Sequence, residues 1–575
     1  MMSSSASFGS LIRRFKDSGG FEALVGALGI GSTLLSVQDS GRSIAAFCLA
    51  LLACALLVSG GFRDAAGYRN RIAPLDAFSA PRIVVVVAGG LLLDTATGWV
   101  LASLLMLSLL IEIATYRVLV SAVPLAERLP GISVRNRSIL PAGVAYFASL
   151  ASTALLVLGG YGRGFLTAGF LLAGGTVCLL IFLLCDGIAR IAQRRRGEAG
   201  LRAALIAYAP EFLVHWDAHR GTGYQLEMWL PELEKLGSDF VVVVRNVSSF
   251  PEVARLTTRP VLLRKTHAHL DSVIVPTLKA AFYVNNAIRN AHMVRFTELW
   301  HVQLNHGESD KAPSYNQTLR GYDRNFVAGQ AAVDRFAQHG IETWPDYLQV
   351  IGRPQSSAVD SAHAGALQTR RRVLYAPTWA GFQADSAYSS LPFGVTIVRE
   401  LLARDCDVIF RPHPYTDRDP SLRQRAREIQ QLLESDTASS DHRHLWGRAA
   451  EVDMSLSECF NESDALISDV SSVVPEYLAS GKPFAIAVML GTLEEFGSRY
   501  PLSEGGYPFI CAEHSLANAL DGLLDEHDSR AGDRERLKNY YLGRAGDSTA
   551  FISAASMLLK QPKTGILSQS SGAAE

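Results

Sequence analysis

Four short stretches in the second half of the chain join residue types that handle protons and phosphate. Gln303-Leu304-Asn305-His306-Gly307-Glu308-Ser309-Asp310-Lys311 sets a histidine at the end of an apolar run, and the following glycine lets a backbone or ligand come close. A neutral imidazole can take a proton from a hydroxyl near pH 7, so His306 is a candidate general base. The plainer reading of the same fragment is a loop histidine with a backbone partner. Val408-Ile409-Phe410-Arg411-Pro412-His413-Pro414 ends in an arginine and a histidine two apart, both suited to phosphate. Its two prolines stiffen the loop and stop a helix from forming there. In Ala465-Leu466-Ile467-Ser468-Asp469-Val470-Ser471-Ser472-Val473-Val474-Pro475-Glu476, Ser471 and Ser472 can cap a starting helix and offer hydroxyls and amides to a pyrophosphate. Val373-Leu374-Tyr375-Ala376-Pro377-Thr378-Trp379 runs from a strand into a turn. A fifth stretch, Val214-His215-Trp216-Asp217 followed by Gly221-Thr222-Gly223, is a Gly-rich turn ahead of a helix near Tyr224. Such a turn is a ready anion site, although many strand-to-helix turns look alike.

These loops need strands that deliver them to one edge. From Leu201 onward short β-branched runs alternate with helical patterns, the signature of parallel α/β units. Phe212–His215, Phe240–Val244, Leu299–Leu304, Arg372–Tyr375, Val408–Arg411, Ala465–Ser468 and Phe484–Val488 read as buried strands. Helices are expected over Tyr224–Leu236, Ala331–His339, Val395–Arg404, Leu422–Ser435, Val474–Ser480 and Leu516–Glu526. Gln355–Arg370 is polar and aperiodic, so it reads as a linker between two Rossmann-like lobes facing a cleft, 198–360 and 371–555. Ligands of such lobes sit at the carboxyl ends of the strands, where the chemistry-bearing residues fall. The tail 561–575 is expected to be disordered.

The first third of the chain is different in kind. Mean hydropathy is +0.15 over 575 residues and charged residues make up only 19%, because 21–188 holds long apolar runs with few charges. Six spans are expected, at 21–38, 43–61, 82–97, 98–119, 140–160 and 164–187, after a short N-terminal segment 1–20. Asp94-Thr95-Ala96-Thr97-Gly98 reads as a tight turn between two of them. Arginines gather in alternate connections: Arg63, Arg69, Arg71 and Arg82 in one, Arg128, Arg135 and Arg137 in another, and Arg190 with Arg194–Arg196 after the last span. Under the positive-inside rule both termini and the soluble half are cytoplasmic. Glu112 is the one carboxylate well inside a span; it is expected to lie toward the cytoplasmic end and pair near Arg117. Glycines from 159 to 175 suit close helix packing. Seven scattered cysteines form neither a zinc nor a redox motif. A net charge of −1 argues against a general nucleic-acid partner.

Taken in order, the motifs resemble the CDP-glycerol glycerophosphotransferase family of bacteria, the teichoic-acid polymerases and primases of GT-B fold. The family's Gln-x-x-His-Gly-x-x-x-Lys is matched by Gln303, His306, Gly307 and Lys311, and its Tyr-Ala-Pro-Thr-Trp by Tyr375 to Trp379. Its Arg-Pro-His-Pro is matched by Arg411 to Pro414, and its Ser-Asp-x-Ser-Ser by Ser468, Asp469, Ser471 and Ser472. The resemblance covers about 201–555. It implies transfer of a polyol phosphate from a CDP-linked donor to a hydroxyl of a polymer or lipid-linked acceptor, releasing CMP. His306 would be the base, with His413 a second catalytic residue, while Thr378, Arg411, Ser471, Ser472 and Glu476 would hold the donor, Glu476 at its ribose. Gln303, Gly307, Lys311 and Gly223 would support the acceptor side. No metal or cofactor is implied, the CDP-linked donor being a substrate. A bacterial plasma-membrane setting follows from the family, the lipid bilayer being a partner through the spans, which would park the catalytic half beside its acceptor.

The sequence departs from the family at Glu308 and Asp310, two carboxylates beside the base, and at Val470, where an aromatic is usual. The same residues would also serve an inverting GT-B glycosyltransferase using a nucleotide sugar, since fold does not settle chemistry. A non-catalytic membrane assembly protein is the remaining alternative, and the intact His306, Arg411, His413, Ser471 and Ser472 count against it.

Overall fold

The computed structural model describes residues 20–38, 44–67, 79–133, 140–307, 309–310, 312–361, 370–379, 388–561 and 563. Lys311, Glu308, the segment 1–19, the arginines at 69, 71, 135 and 137, half of the linker (362–369) and the end of the tail lie outside the described residues. The chain divides into two compact units, 1–126 with 131–201 and 127–130 with 202–575.

In the first unit the six expected segments are all helical: Gly20–Gln38, Ile44–Gly67, Ser79–Leu93, Ala96–Ser121, Leu140–Leu158 and Arg163–Tyr208. Among the described residues three helices are long and apolar enough to cross a membrane, Ala96–Ser121, Ala142–Tyr161 and Arg163–Tyr208. The last does not stop near residue 187 as expected, because the Arg- and Ala-rich stretch after it is itself a good helix former and carries the helix to Tyr208. The expected hairpin turn is present. Asp94 takes a left-handed φ of 43°, and Thr95 caps the next helix by accepting the Gly98 amide at 3.1 Å.

Arg82 departs from expectation. It is not a connection residue: it lies inside Ser79–Leu93, 1% exposed, and its guanidinium forks onto Glu112 at 2.7 and 2.8 Å. Ser149 accepts a further bond at 2.7 Å, and the Tyr146 ring lies 4.9 Å away. Glu112 therefore pairs across helices with Arg82, not toward Arg117. A carboxylate with no water around it needs a full counter-charge, and the bidentate fork supplies one. Of the glycines expected to pack closely, Gly169 meets Leu101 and Gly159 meets Leu166, whereas Gly162, Gly164, Gly174 and Gly175 face open space.

The second unit is α/β, as expected. Its first sheet sets parallel strands side by side in the order Val261–Leu263, Phe240–Val244, Phe212–Trp216, Ala280–Tyr283, Trp300–Gln303, Arg324–Val327 and Leu348–Val350. The second runs Asp407–Phe410, Arg372–Ala376, Ala465–Ser468, Phe484–Val488 and Tyr507–Ile510, again all parallel. Central strands such as Phe212–Trp216, Phe240–Val244 and Phe484–Val488 are buried throughout. That two-faced burial is why they read as unbroken apolar runs. Because the strands are parallel, each sheet brings all its carboxyl ends to one edge.

Two expectations change. Tyr224–Leu236 is not one helix but two short ones, Tyr224–Glu227 and Leu230–Glu234, since Pro231 withholds an amide and restarts the helix at its first turn. The second lobe does not simply run to 555. The terminal helix Thr549–Lys560 lays Phe551 against Trp229 and Phe326 of the first lobe, with ring centroids 5.4 and 6.3 Å apart. The end of the preceding helix, Ala531–Leu542, runs so close to Gly329 that an added Cβ would sit 2.3 Å from the Tyr540 carbonyl oxygen.

Candidate functional site

The strand Trp300–Gln303 ends on a turn that aims His306. Asn305 takes a left-handed φ of 57°. Its amide donates to Asn325 Oδ1 at 2.8 Å and the Phe326 carbonyl at 3.2 Å, and its own carbonyl accepts the Trp229 indole N–H. Held this way, the chain puts His306 Nδ1 3.0 Å from the Val284 carbonyl oxygen, at the end of the neighbouring strand. A carbonyl only accepts, so Nδ1 carries the proton and Nε2 keeps its lone pair. Among the described residues Nε2 has no hydrogen-bond partner. Burial and the nearby Arg353 charge push the His306 pKa down to about 4, against the opposing pull of the Val284 carbonyl. The ring is therefore neutral at pH 7, with a basic nitrogen available.

Gly307 brings this turn to the second lobe. A Cβ there would lie 2.9 Å from Ser472 Cβ and 3.5 Å from Glu476 Oε1, so only glycine allows the two loops to meet. Arg353, just after the strand Leu348–Val350, is 4% exposed. It donates to the His306 carbonyl at 3.1 Å and to Glu476 Oε1 at 2.8 Å. One guanidinium thus ties the base's backbone to the second lobe's serine loop.

In the second lobe three strand-end loops converge. Asp469, fully buried, accepts the Thr378 amide at 2.7 Å. The Ser468 hydroxyl donates to the Ala376 carbonyl at 2.7 Å, and the His413 amide donates to the Pro377 carbonyl at 3.1 Å. His413 Nδ1 accepts the Tyr415 amide at 3.0 Å, which leaves its proton on Nε2. The ring lies beside Trp379, centroids 6.1 Å apart, and Tyr415, 5.2 Å apart.

Arg411 Nη1 is already engaged, donating to the Ala450 carbonyl and, at 2.8 Å, to the Met454 carbonyl. It braces the 449–454 turn. Ser471 Oγ accepts the Val473 amide at 3.3 Å, while Ser472 makes no capping bond, so Ser471 alone serves the helix start. Glu476 is held by Arg353. The Gly-rich turn has its anion built in: Gly221 and Gly223 donate their amides to Glu252 at 2.8 and 3.0 Å. Asp310 is not a free charge beside the base, since Arg335 at 2.9 Å and the Tyr541 hydroxyl at 2.8 Å both hold it. Gln303 is 1% exposed, and its amide has no partner among the described residues. Lys311 lies outside the described residues.

The sequence reading missed Arg353 and the part played by Asp469. The signal for the first was Gly352-Arg353-Pro354, a charged residue locked between a glycine and a proline straight after a strand. Among the described residues one group could offer three metal ligands, Asp436, His442 and His444. Its hydrogen bonds argue for a different role. His444 Nδ1 accepts the Val408 amide at 2.9 Å, so its Nε2 is protonated and donates to Asp436 at 2.9 Å. His442 sits between Asp436 and Asp405. Burial alone would lower its pKa, and the two carboxylates outweigh that and raise it. This is a proton-bearing clamp beside the start of the strand Asp407–Phe410, at the opposite end from the loops described above.

Comparison with known families and structures bears on the second lobe most directly. Residues 355–490 match the model of the family described as CDP-Glycerol:Poly(glycerophosphate) glycerophosphotransferase. No curated protein matches the sequence. Among solved structures, the wall teichoic acid polymerase TagF is 14% identical, with a TM-score of 0.41 over 65% of this chain and 96% of its own. A glycosyltransferase from Rickettsia africae ESF-5 is 13% identical, with a TM-score of 0.41 over 61% of this chain and 97% of its own. A UDP-N-acetylglucosamine 2-epimerase is 14% identical, with a TM-score of 0.40 over 61% and 95%. The soluble half carries a domain similar to the glycerophosphotransferase family, recognised through its second lobe.

Proposed function

We propose that the protein transfers a polyol phosphate, glycerol phosphate or a close analogue, from a CDP-linked donor to a hydroxyl of a cell-surface glycopolymer or lipid-linked acceptor. The observation that carries this reading is the family match over 355–490, which spans Thr378, Arg411, His413, Ser471, Ser472 and Glu476. In this reading the acceptor oxygen attacks the phosphorus bearing the polyol while His306 Nε2 takes its proton. The bond from that phosphorus to the CMP oxygen breaks, and CMP leaves with the electron pair. The His413 Nε2–H and the hydroxyls of Ser471 and Ser472 hold the pyrophosphate oxygens as charge builds, because phosphoryl transfer depends mainly on positioning and electrostatics. Thr378 lines the same loops. Arg411 adds charge from behind, its Nη1 keeping the 449–454 turn in place. Glu476, held by Arg353, links donor loop and base. The reading needs no resident cofactor or metal.

The membrane unit anchors the enzyme. Three described helices long and apolar enough to cross support this, and the arginines after the last of them favour a cytoplasmic catalytic half under the positive-inside rule. Tethering raises the effective concentration of a membrane-bound acceptor. The test is binding and turnover with the full chain in detergent, offering CDP-glycerol, CDP-ribitol and a panel of UDP-, GDP- and CMP-sugars. Selective binding of a CDP-polyol, with CMP released when a membrane extract is added, is the expected result. Preference for a nucleotide sugar would replace the proposal with sugar transfer.

A further inference from the structure

The short helix Tyr224–Glu227 belongs to the first lobe, and the transfer chemistry uses none of its side chains. Its start does not wait for a ligand, because Glu252 already accepts the Gly221 and Gly223 amides at 2.8 and 3.0 Å. A Cβ at Gly223 would lie 2.6 Å from Glu252 Oε1, so the turn and the carboxylate are in close contact. Just past the helix, Trp229 donates its indole N–H to the Asn305 carbonyl, and an Arg353 nitrogen lies 3.6 Å from Met228 Sδ. The helix is thus pinned between a built-in anion and the turn that aims His306.

A chain of side-chain amides then orients Tyr224, the residue that opens this helix. Asn285 and Gln225 are both buried. Asn285 Nδ2 donates to the Asp217 carbonyl at 3.5 Å and to Gln225 Oε1 at 3.4 Å. A backbone carbonyl only accepts, so the nitrogen of Asn285 faces this way and the oxygen of Gln225 meets it. Gln225 Nε2 is left to donate to the Tyr224 hydroxyl at 3.4 Å. Each bond is long, so the chain contributes direction more than energy. The Tyr224 oxygen accepts, and among the described residues nothing accepts its own proton. That hydroxyl lies within electrostatic reach of Tyr415 and Glu476, both from the second lobe. Burial raises its pKa, and these two neighbours add to the rise against the Gln225 bond. The group is therefore a neutral O–H at any working pH, with its proton free to donate.

We infer that the Tyr224 hydroxyl is a substrate-contacting group of the first lobe, donating to a phosphate oxygen of the nucleotide-linked donor held on the second. Its two neighbours across the cleft belong to the donor loops: the Tyr415 ring stands 5.2 Å from that of His413, and Glu476 follows Ser471 and Ser472 into the helix Val473–Tyr477. A neutral donor suits a place within reach of Glu476 and its partner Arg353. A second cation there would add to the Arg353 charge that already lowers the His306 pKa, whereas an O–H binds an anionic oxygen without weakening the base. The contact makes donor binding depend on both lobes. That the donor is CDP-linked rests on the polyol-phosphate reading; the contact itself needs only a nucleotide-borne phosphate on the second lobe.

The test is equilibrium binding by the full chain in detergent, with CDP-glycerol, cytidine and a UDP-sugar as probes. Tyr224→Phe removes one oxygen and should leave the thermal unfolding midpoint in place. It should weaken CDP-glycerol about tenfold, the scale of one hydrogen bond to a charged oxygen, while cytidine, which carries no phosphate, binds both proteins equally. Gln225→Leu frees the hydroxyl to turn and should cost about threefold for CDP-glycerol. CDP-glycerol affinity unchanged in Tyr224→Phe overturns the inference, and so does an equal loss for cytidine. A wild type that binds the UDP-sugar in place of CDP-glycerol retires the polyol-phosphate reading. Tenfold weaker binding of that UDP-sugar by Tyr224→Phe then keeps the contact, and unchanged binding overturns it. A wild type that binds no nucleotide overturns both.

Discussion

Each lobe presents a histidine of its sequence motif at a strand-end loop, and the backbone assigns the two opposite tautomers. In the first lobe His306 meets a carbonyl, so its Nδ1 donates and Nε2 is left basic. In the second, His413 meets an amide, so its Nδ1 accepts and Nε2 becomes a donor. One ring is left with a nitrogen that can accept a proton and the other with one that can donate, although the residue type is the same. The loops differ correspondingly. The first-lobe turn depends on a left-handed asparagine and a glycine that meets the other lobe, while the second-lobe loops are cross-braced by Asp469, Ser468 and the Pro377 carbonyl.

Substitution should separate these roles. His306→Ala should cut turnover by about a thousandfold while donor affinity stays as in the wild type, the usual scale for loss of a general base. His413→Ala should cost about a hundredfold and weaken donor binding as well. Equal donor affinities in the two variants, measured by equilibrium binding, would erase the contrast.

Gly307→Ala places a Cβ 2.9 Å from Ser472 Cβ. The lobes must separate there, and turnover should drop about tenfold or more for a displacement of this kind, with the thermal unfolding midpoint nearly unchanged. Arg353→Gln sharpens the comparison through pH. Burial, and after it the Arg353 charge, depresses the His306 pKa, so removing the charge raises that pKa while burial still holds it down. The wild-type kcat/KM should hold down to about pH 4, and the variant's acid limb should move up but stay below the ordinary histidine value near 6.5. An unmoved limb would mean that His306 is not the group being titrated. The smallest effect is expected at Asp310→Asn, which loosens Arg335 and Tyr541. It should lower stability by about 1–3 kcal/mol with kcat unchanged; a large fall in kcat would return Asp310 to the base's surroundings.

Much of this was legible from residue order. The seven expected strands all form, within a residue or two at their ends, because buried parallel strands must be continuous apolar runs. The strands Val261–Leu263, Ala280–Tyr283, Arg324–Val327, Leu348–Val350 and Tyr507–Ile510 went unread. Each is three or four residues long, and several mix alanine or charged residues into the run, which leaves no period to detect. The tight turn at Asp94 was legible from local chemistry. The Arg82–Glu112 pair was not, since the two residues are 30 apart and nothing nearby in sequence marks them as partners. Of the residues expected at the donor, Thr378, Arg411, Ser471 and Ser472 lie just beyond strand ends of the second lobe and Glu476 in the short helix Val473–Tyr477, but that Arg411 braces a turn and that Glu476 answers to Arg353 depended on loops far away in the chain.

By itself the sequence determined which residue types stand at the ends of which strands, where the apolar helices lie, and that two α/β lobes follow them, because these properties arise from local periodicity and turn chemistry. The tertiary structure decided what each group can do. His306 keeps a lone pair on Nε2 because the Val284 carbonyl, 22 residues away, accepts the hydrogen bond that Nδ1 donates. The Gly221–Gly223 turn is not an open anion site because Glu252, from another helix, already fills it. Proton position, charge pairing and access are set by whichever partner arrives through space, and such partners come from strands and loops that only folding brings together.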